Sequence, residues 1–539
     1  MKLVGGAPRS AHGADRPSFF FTTLVVLLAT CFLPSCTSAS DPVITIGSGM
    51  IAGKRIKVGN KEVDAFLGIP FAVPPVGDLR FERPRPVAPW NGTFTAKGIR
   101  APCWQTTLRF IEGAPLDYSS IASEDCLYLN VWRRPSNCEA GCDNKKKRPV
   151  VVYIHGGAFL WGDAALFLYD PANFVALHDV VFVTFNYRLS ALGFLSLDRP
   201  ELPGNMGLWD QNLALKWVHA NAARIGGDPN EVTLIGHSAG GISVGLHAAS
   251  PLSRGLFKRG VMMSGSPLSL ILGTSHKGQG KFIGLAGSLG CYDAKRKLDD
   301  QLGDVISCLK KLEASFIYKT IESQGPMQQV FLPVWGDELI PEDPLSEDTL
   351  RNLDLKEIVL GNVLNEGTLT LDNIKYATPV LQHILAVDYR LAITTVIQPM
   401  FGIGVSLARR IVEAYLGNHD VEHTPDQVTQ VISELLGDAV FDCPVQLMSE
   451  LTSRKRVPTY RYVFAHRPSH SYWPEWMGVA HADEIMYVLG SLPFINDTNR
   501  HGGVLRGVSS DLLNHTYTAQ EERHMEELVG AFYSFAKTG

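Results

Sequence analysis

The segment Gly236–Gly240 reads Gly-His-Ser-Ala-Gly, a G-x-S-x-G pattern that directly follows a run of β-forming residues, 231–235. The residues after it, 241–249, are small and compatible with a helix. A strand that turns sharply into a helix needs small residues at the turn, and the turn pushes the serine hydroxyl out at the carboxyl end of the strand. An ordinary glycine–serine turn could have the same sequence, so other features of the chain are needed to distinguish it from a nucleophile turn. The pattern makes Ser238 a candidate nucleophile.

Apolar runs typical of buried strands alternate with helical patterns along the chain. The apolar runs lie at 150–154, 180–185 and 232–235, and one helical stretch covers 208–223. This alternation indicates an α/β fold with a mostly parallel central sheet covered by helices on both faces, and with functional residues at the carboxyl ends of the strands. Residues 44–56 instead predict a small N-terminal antiparallel ribbon.

A pair of glycines follows another predicted strand. The apolar run 150–154 leads directly into His155, Gly156 and Gly157. Successive glycines allow backbone N–H groups to point at one spot, where they can stabilise the negative charge of a tetrahedral intermediate. Gly156 and Gly157 are therefore predicted oxyanion-hole donors, and Ala239, immediately after the serine, is a third.

A serine nucleophile also needs a base and an acid that orients it, in the chain order serine, acid, histidine for this kind of turn. Glu366 is the candidate acid because it follows the apolar run 358–362 in a loop. Two later histidines are plausible bases. His466 ends the alternating strand 460–464, and His481 lies in a loop. The residue pattern alone leaves both open.

Length and charge limit the classes of function. The chain has 539 residues, of which 45% are hydrophobic and 19% charged, so it can bury a large core. We see no linker, repeat or charge block, and therefore predict one large domain over 40–539. The formal net charge of −5 provides no basic surface for nucleic acid.

The amino terminus is typical of a targeting segment. Three basic residues precede an apolar run, 19–33, that is short for a membrane span, and small residues follow at 37–39. These features predict a signal peptide over 1–39, with a signal anchor as the alternative because the basic leader is long. No membrane association is expected once the signal is removed. Glycosylation sequons fit a secreted glycoprotein and begin at Asn91, Asn496 and Asn514.

Nine cysteines agree with an oxidising compartment. Two lie in the predicted signal peptide, and the other seven are Cys103, Cys126, Cys138, Cys142, Cys291, Cys308 and Cys443. An odd number implies either a free thiol or a missing partner. Because the chain stops directly after a helical pattern at 521–535, we expect a truncated carboxyl terminus.

Two segments are similar to signatures of a known family. Residues 124–132, Glu-Asp-Cys-Leu-Tyr-Leu-Asn-Val-Trp, resemble the second signature of type-B carboxylesterases, the carboxylesterase/cholinesterase family of α/β-hydrolases, and the segment 226–241 resembles the first. The likeness runs from about Ile46 to the end of the chain. Further matching segments lie at 66–70, 186–188, 204–207 and 210–211.

The resemblance implies a catalytic triad of Ser238, Glu366 and His481, because 365–367 and 481–484 look like the family's acid and histidine motifs. His466 then becomes a strand residue. The reaction implied is hydrolysis of a small-molecule carboxylic ester through an acyl-enzyme, which requires no metal or cofactor. The sequence gives no indication of an oligomeric state.

The resemblance also implies how the cysteines pair. Cys103 with Cys126 would close a loop beside the active-site gorge, and Cys291 with Cys308 a surface loop. Cys443 resembles a position whose partner in cholinesterases lies beyond the end of this chain. Cys138 and Cys142 have no family counterpart, and a bridge between these two is an open alternative.

Two departures from the family pattern bear on the substrate. His237 stands where the family usually has glutamate, and histidine at this position is similar to some arthropod-type carboxylesterases. The first disulfide loop lacks the tryptophan of cholinesterases, because Trp104 abuts Cys103 and only Tyr118 is aromatic at the expected later position. Choline selectivity is therefore doubtful. The sequence favours a serine carboxylesterase. The alternatives are a cholinesterase and a non-catalytic adhesion protein of neuroligin type, which would have lost the nucleophile.

Overall fold

The computed structural model describes residues 41–111, 114–135, 147–269, 278–324, 330–344, 346, 352–377, 387–417, 422–471, 473–495, 497 and 516–539. Several of the sequence-based predictions lie outside the described residues, namely those on the signal peptide, Cys138, Cys142, Asn496 and Asn514. Asn91, which begins the remaining sequon, is exposed.

The described residues form strands and α-helices, and the two alternate along the chain from residue 148 onward. The strands are β1 Val43–Ile46, β2 Gly49–Ala52, β3 Lys54–Val58, β4 Lys61–Pro70, β5 Thr93–Thr95, β6 Leu108–Ile111, β7 Ala114–Leu116, β8 Tyr128–Arg133, β9 Arg148–Ile154, β10 Val181–Phe185, β11 Gly227–His237, β12 Arg259–Met263, β13 Glu357–Val363 and β14 Thr459–Phe464. The α-helices are α1 Ala172–Leu177, α2 Ser190–Phe194, α3 Met206–Asn221, α4 Ala239–Ala249, α5 Gly278–Ser288, α6 Leu302–Lys311, α7 Ala314–Ser323, α8 Gly367–Ala377, α9 Tyr389–Phe401, α10 Val405–Leu416, α11 Pro425–Gly437, α12 Cys443–Arg454, α13 Ile485–Leu489 and α14 Ala519–Thr538. A π-helical turn, Asp438–Asp442, joins α11 to α12.

Nine strands build one sheet in the order β14-β13-β12-β11-β9-β10-β8-β4-β3. In this order, all neighbouring strands from β14 through to β10 pair parallel. Strands β8, β4 and β3 then extend the sheet beyond β10 with antiparallel pairs. The apolar runs predicted at 150–154, 180–185 and 232–235 fall in β9, β10 and β11. The prediction of a mostly parallel central sheet is confirmed.

Helices cover both faces of this sheet. Along β9, Val150 and Val152 belong to one hydrophobic cluster, and Val151 and Tyr153 belong to the other. Because successive side chains of a strand point to opposite faces, these clusters are two cores, one on each side of the sheet. Helix α3 contributes to the first core and α14 to the second. A third cluster joins helices α8 to α11.

The predicted N-terminal ribbon is divided between two sheets. Strands β1 and β2 pair antiparallel, and β5 adds a parallel strand to them. Strand β3, which the prediction also included, pairs instead with β4 at the edge of the main sheet. Among the described residues, no helix is long and apolar enough to cross a membrane.

Disulfides join Cys103 to Cys126 and Cys291 to Cys308. These are the two pairs that the family resemblance implied. Cys443, at the start of α12, is an exposed free cysteine.

Candidate active site

Ser238 lies at the predicted sharp turn between a strand and a helix. Strand β11 ends at His237 and helix α4 begins at Ala239, so the serine is the only residue between them. Its backbone has φ 57° and ψ −122°, a sparsely populated conformation of the kind that clusters at functional sites. A Cβ atom on Gly240 would collide with the carbonyl oxygen of Ile154. The glycine is therefore required by close backbone packing.

The two predicted oxyanion glycines lie in the turn after β9. Gly157 has φ +112°, which favours glycine, and a Cβ atom on Gly156 would lie 2.7 Å from the carbonyl oxygen of His237. The turn of Gly156 and Gly157 is thus packed directly against the serine elbow. Ala239, as the first residue of α4, has an N–H group with no intrahelical acceptor.

His155 fixes the orientation of this turn. Burial lowers its pKa to about 4, so the ring is neutral at physiological pH, and Nδ1 donates to the carbonyl oxygen of Gly156 at 2.8 Å. The C=O of Gly156 and the N–H of Gly157 belong to one trans peptide group and point in opposite directions. Because this C=O points at the His155 ring, the N–H of Gly157 points away from His155. The ring also stacks on Tyr187, whose hydroxyl donates to the His155 carbonyl.

Glu366 lies in the loop between β13 and α8 and is only 1% exposed. Its Oε1 accepts hydrogen bonds from the backbone N–H of Val363 at 2.9 Å and from Nδ2 of Asn362 at 3.3 Å. Its Oε2 accepts from Nδ1 of His481 at 2.6 Å. The carboxylate is thus oriented by its own loop and directed at one histidine.

A short backbone bridge brings His481 to Glu366. The residues just before each of them, Asn365 and Ala480, form a parallel β-bridge. The Asn365 N–H donates to the Val479 carbonyl at 3.0 Å, and the Val479 N–H donates to Oδ1 of Asn365 at 2.9 Å. No periodic pattern predicts this bridge. Asn365 therefore holds the two loops of the candidate site together, a role that the sequence analysis did not assign to it.

His466, the other histidine that the residue pattern left open, belongs to a different network. It lies just after β14, and its Nε2 is 3.2 Å from Oε1 of Glu521 in α14. The structure therefore brings His481, and not His466, to Glu366.

Two rings contact the imidazole of His481. The ring centroids of Phe441 and His237 each lie 4.5 Å from it, at interplanar angles of 39° and 43°. Phe441 comes from the π-helical turn between α11 and α12, far along the chain, and was not among the sequence candidates. These contacts restrict how the imidazole can turn.

Glu484 is a fully buried carboxyl group close to these rings. Its Oε1 lies 3.8 Å from Nε2 of His237 and accepts a hydrogen bond from Oγ of Ser264 at 3.2 Å. Burial, and then the charge of Glu366, raises the pKa of Glu484 to about 8. Burial, and then His481, lowers the pKa of His237 well below its usual value. Both groups are therefore uncharged at neutral pH.

A cleft of about 760 Å³ opens beside Glu366, between its loop and helix α11. It is lined by acidic side chains, including Asp426, Glu434, Asp438 and Asp442. Burial, and then Glu366 and Asp438, raises the pKa of Asp442 to about 7. Asp442, a neighbour of the candidate acid Glu366, is therefore protonated over part of the physiological pH range.

Comparison with known proteins shows what the chain is similar to. The model of the family described as "Carboxylesterase family" matches residues 40–539. Acetylcholinesterase of Leptinotarsa decemlineata is 34% identical over 84% of this chain and 74% of its own length. Acetylcholinesterase of Bungarus fasciatus is 32% identical over 94% of this chain and 81% of its own. Acetylcholinesterase-1 of Trittame loki is 32% identical over 87% of this chain and 85% of its own.

The family match and the sheet order lead to the same assignment. The family resemblance read from residues 124–132 and 226–241 is confirmed, and so is the α/β-hydrolase fold that it implied. The chain belongs to the carboxylesterase family.

Proposed function

We propose that this chain is a serine carboxylesterase that hydrolyses carboxylic esters through an acyl-enzyme. The observation that carries the proposal is the 2.6 Å hydrogen bond from His481 Nδ1 to Glu366 Oε2. This bond fixes the tautomer of the imidazole, which leaves Nε2 as the nitrogen that can take a proton. Ser238, in its elbow at the end of β11, is the nucleophile.

The proposed reaction has two similar halves. His481 removes the Ser238 proton while the hydroxyl oxygen attacks the ester carbonyl, and then returns it to the leaving alcohol. Glu366 orients the imidazole and stabilises its cation. Water then attacks the acyl-enzyme with the same assistance and releases the acid.

The oxyanion hole proposed for both halves consists of the N–H groups of Gly156, Gly157 and Ala239. Its support is the packing of the glycine turn against the elbow, together with the position of Ala239 at the start of α4. A helix N-terminus carries partial positive charge, and preorganised donors of this kind stabilise a developing oxyanion.

Neutral esters are the proposed substrate class. A choline head group gains from a nearby anion or aromatic face, roughly 0.5 to 2 kcal/mol from the latter. Here the family's glutamate before the nucleophile is replaced by His237, and both His237 and Glu484 are uncharged at neutral pH. Neither group offers a cation an attractive partner.

A cholinesterase is the second candidate, because all three relatives named above are acetylcholinesterases. The third reading, a non-catalytic adhesion protein, is disfavoured because the chain retains Ser238 in its elbow and a hydrogen bond between the candidate histidine and acid, His481 and Glu366. We further propose secretion, on the strength of the predicted signal peptide and the two disulfides.

A substrate comparison on the purified protein tests this proposal. We expect kcat/KM for a neutral aryl acetate to exceed that for acetylthiocholine by a factor on the order of 10² to 10³. In a cholinesterase-like site an aromatic face would contribute roughly 0.5 to 2 kcal/mol to cation binding, and a carboxylate about 5 Å away would add roughly 3 kcal/mol at an effective dielectric constant near 20. A clear preference for the thiocholine ester would make cholinesterase the better reading. Absence of turnover with every ester would favour the adhesion protein.

The nucleophile has its own test. Ser238→Ala should lose about 10⁴-fold or more in kcat, and an organophosphate should label Ser238 covalently in the wild-type protein. Full turnover by Ser238→Ala would refute the proposed mechanism.

A further inference from the structure

Close to His481 lie two buried polar groups that the proposed mechanism does not use. His237 is 3% exposed and Glu484 is completely buried. The His237 ring contacts the His481 ring at 4.5 Å between centroids, and its Nε2 lies 3.8 Å from Oε1 of Glu484. Any change in the charge of this pair is therefore felt at the proposed catalytic base.

Each group has an unsatisfied polar atom. Within the described part of the chain, neither Nε2 of His237 nor Oε2 of Glu484 has a hydrogen-bond partner, whereas Oε1 of Glu484 accepts from Ser264. Buried polar atoms are nearly always paired, so two such atoms on adjacent side chains require an explanation. A carboxylic acid and a neutral imidazole are complementary, because the acid has an O–H donor and the imidazole one acceptor nitrogen.

The surroundings keep both groups uncharged. The titratable groups that face them are Glu366 from the loop after β13, Asp483, Tyr153 from β9, Tyr462 from β14 and His481. Burial is the main cause of the raised pKa of Glu484, and the two carboxylates Glu366 and Asp483 reinforce it. Burial raises the pKa of both tyrosines well above 10, so they remain neutral.

We propose that protonated Glu484 donates a hydrogen bond to Nε2 of His237, and that this neutral pair positions His481 and keeps a second positive charge away from it. The 3.8 Å separation joins Nε2 to Oε1, so the proposed bond requires the carboxyl group to turn until its O–H faces Nε2. The inference rests on the proposed function, in which His481 becomes a cation in each half of the reaction. Were the proton on His237 instead, two imidazolium rings would contact each other and oppose that step.

Two substitutions at the same position test the pair. Glu484→Ala removes the donor, and we expect kcat for a neutral aryl acetate at pH 7 to fall by a factor of roughly 10 to 100 with KM within about threefold. Glu484→Gln retains a neutral donor to His237 and an acceptor for Ser264. It should restore kcat to within about threefold of the wild-type value.

The pH profile separates positioning from simple structural support. In the wild-type enzyme kcat should fall as the pH rises above about 8, because ionised Glu484 can no longer donate. Glu484→Gln should lack this decrease. If Glu484 instead worked as an anion, Glu484→Gln would lose as much kcat as Glu484→Ala, and that result would overturn the inference.

The remaining outcomes are also decisive. In a double-mutant cycle, Glu484→Ala combined with His237→Ala should lower kcat by no more than the more damaging single substitution does. Additive losses of activation free energy would exclude the pair.

Should Glu484→Ala fail to fold, the pH profile of Glu484→Gln decides alone. A decrease in kcat that this variant retains near pH 8 counts against the pair. Turnover by Ser238→Ala would refute the proposed function, whereas an inactive Ser238→Ala with a fully active Glu484→Ala would refute only this inference.

Discussion

His481 is held by groups of three kinds. Glu366 accepts the hydrogen of Nδ1, the Phe441 ring contacts the imidazole, and His237 contacts it with a neutral ring. Each contact restricts rotation of the side chain, and together they orient Nε2 before substrate binds. Preorganisation of this kind lowers the cost of reaching the transition state, because the group does not have to be ordered during the reaction.

Histidine substitutions test this arrangement at the residue scale. His481→Gln can still hydrogen-bond Glu366 but cannot accept a proton, so kcat/KM for a neutral aryl acetate should fall by about 10³-fold or more. His466→Gln should stay within a few-fold of wild type, because His466 contacts Glu521 instead. The reverse result would show that His466 is the base.

At the scale of elements, one carboxylate docks the carboxyl-terminal helix. Glu521 is 2% exposed and completes the capping box with Thr518 at the start of α14. Its oxygens also accept from the N–H and Oγ of Ser469, at 2.7 and 2.6 Å, and from the Tyr487 hydroxyl at 3.1 Å. Tyr487 lies in α13, which follows the His481 loop directly. Glu521 therefore connects α14 to the helix that follows the loop of His481, the proposed catalytic base.

The pH dependence of this contact has a definite sign. Burial alone would raise the pKa of Glu521, but the hydrogen bonds from Ser469 and Thr518 outweigh it and lower that pKa below its ordinary value. Its contribution to stability is thus present above the unfolded-state pKa of about 4.3 and is lost as the pH falls further. Glu521→Gln should lower the free energy of unfolding at pH 7 by about 2 kcal/mol, because each carboxylate oxygen accepts from a backbone N–H, that of Ser469 or of Thr518, and an amide nitrogen cannot accept.

Thermal unfolding at a fixed scan rate measures this effect. The difference in Tm between wild type and Glu521→Gln should narrow as both are acidified below pH 4, since Glu521 then takes up a proton in the unfolded chain before it does so in the folded protein. Glu522→Gln, at the next and exposed position, is the matched control and should melt with wild type at pH 7. Equal Tm values for Glu521→Gln and wild type would contradict the proposed docking role.

At the scale of the whole molecule, the elements with strong local patterns were predicted correctly. The apolar runs that became β9, β10 and β11 form the middle of the sheet, where burial on both faces demands continuous apolar residues. The serine elbow was predictable because a close approach between Gly240 and Ile154 admits only glycine. Local pattern and tertiary structure agree at these positions.

The rest of the site depends on contacts between distant segments. His481 and Glu366 are 115 residues apart and meet through the Asn365–Ala480 bridge, which leaves no periodic trace in the sequence. Phe441 reaches the imidazole from a π-helical turn. The family resemblance, and not the residue pattern, therefore selected His481 over His466.

The Cys103–Cys126 disulfide gives a prediction for the stability of the whole fold. It closes a loop with a sequence separation of 23, for which loop entropy suggests about 3 kcal/mol. At about 2.1 cal/mol/K per residue, the unfolding entropy of a domain of roughly 500 residues is near 1 kcal/mol/K. Replacing both cysteines by alanine should therefore lower Tm by only about 3 °C. Alanine is chosen because both positions are buried and a serine hydroxyl there would need a partner.

Peptide mapping without reduction and a thermal scan at fixed rate check this prediction together. Mapping should recover Cys103 linked to Cys126. Cys443→Ala is the control, because that thiol is exposed and free in the structure, and it should leave Tm unchanged. A free Cys126 thiol in active protein would refute the pairing. A double variant that melts with wild type would instead mean that native strain or residual order in the unfolded chain offsets the loop entropy.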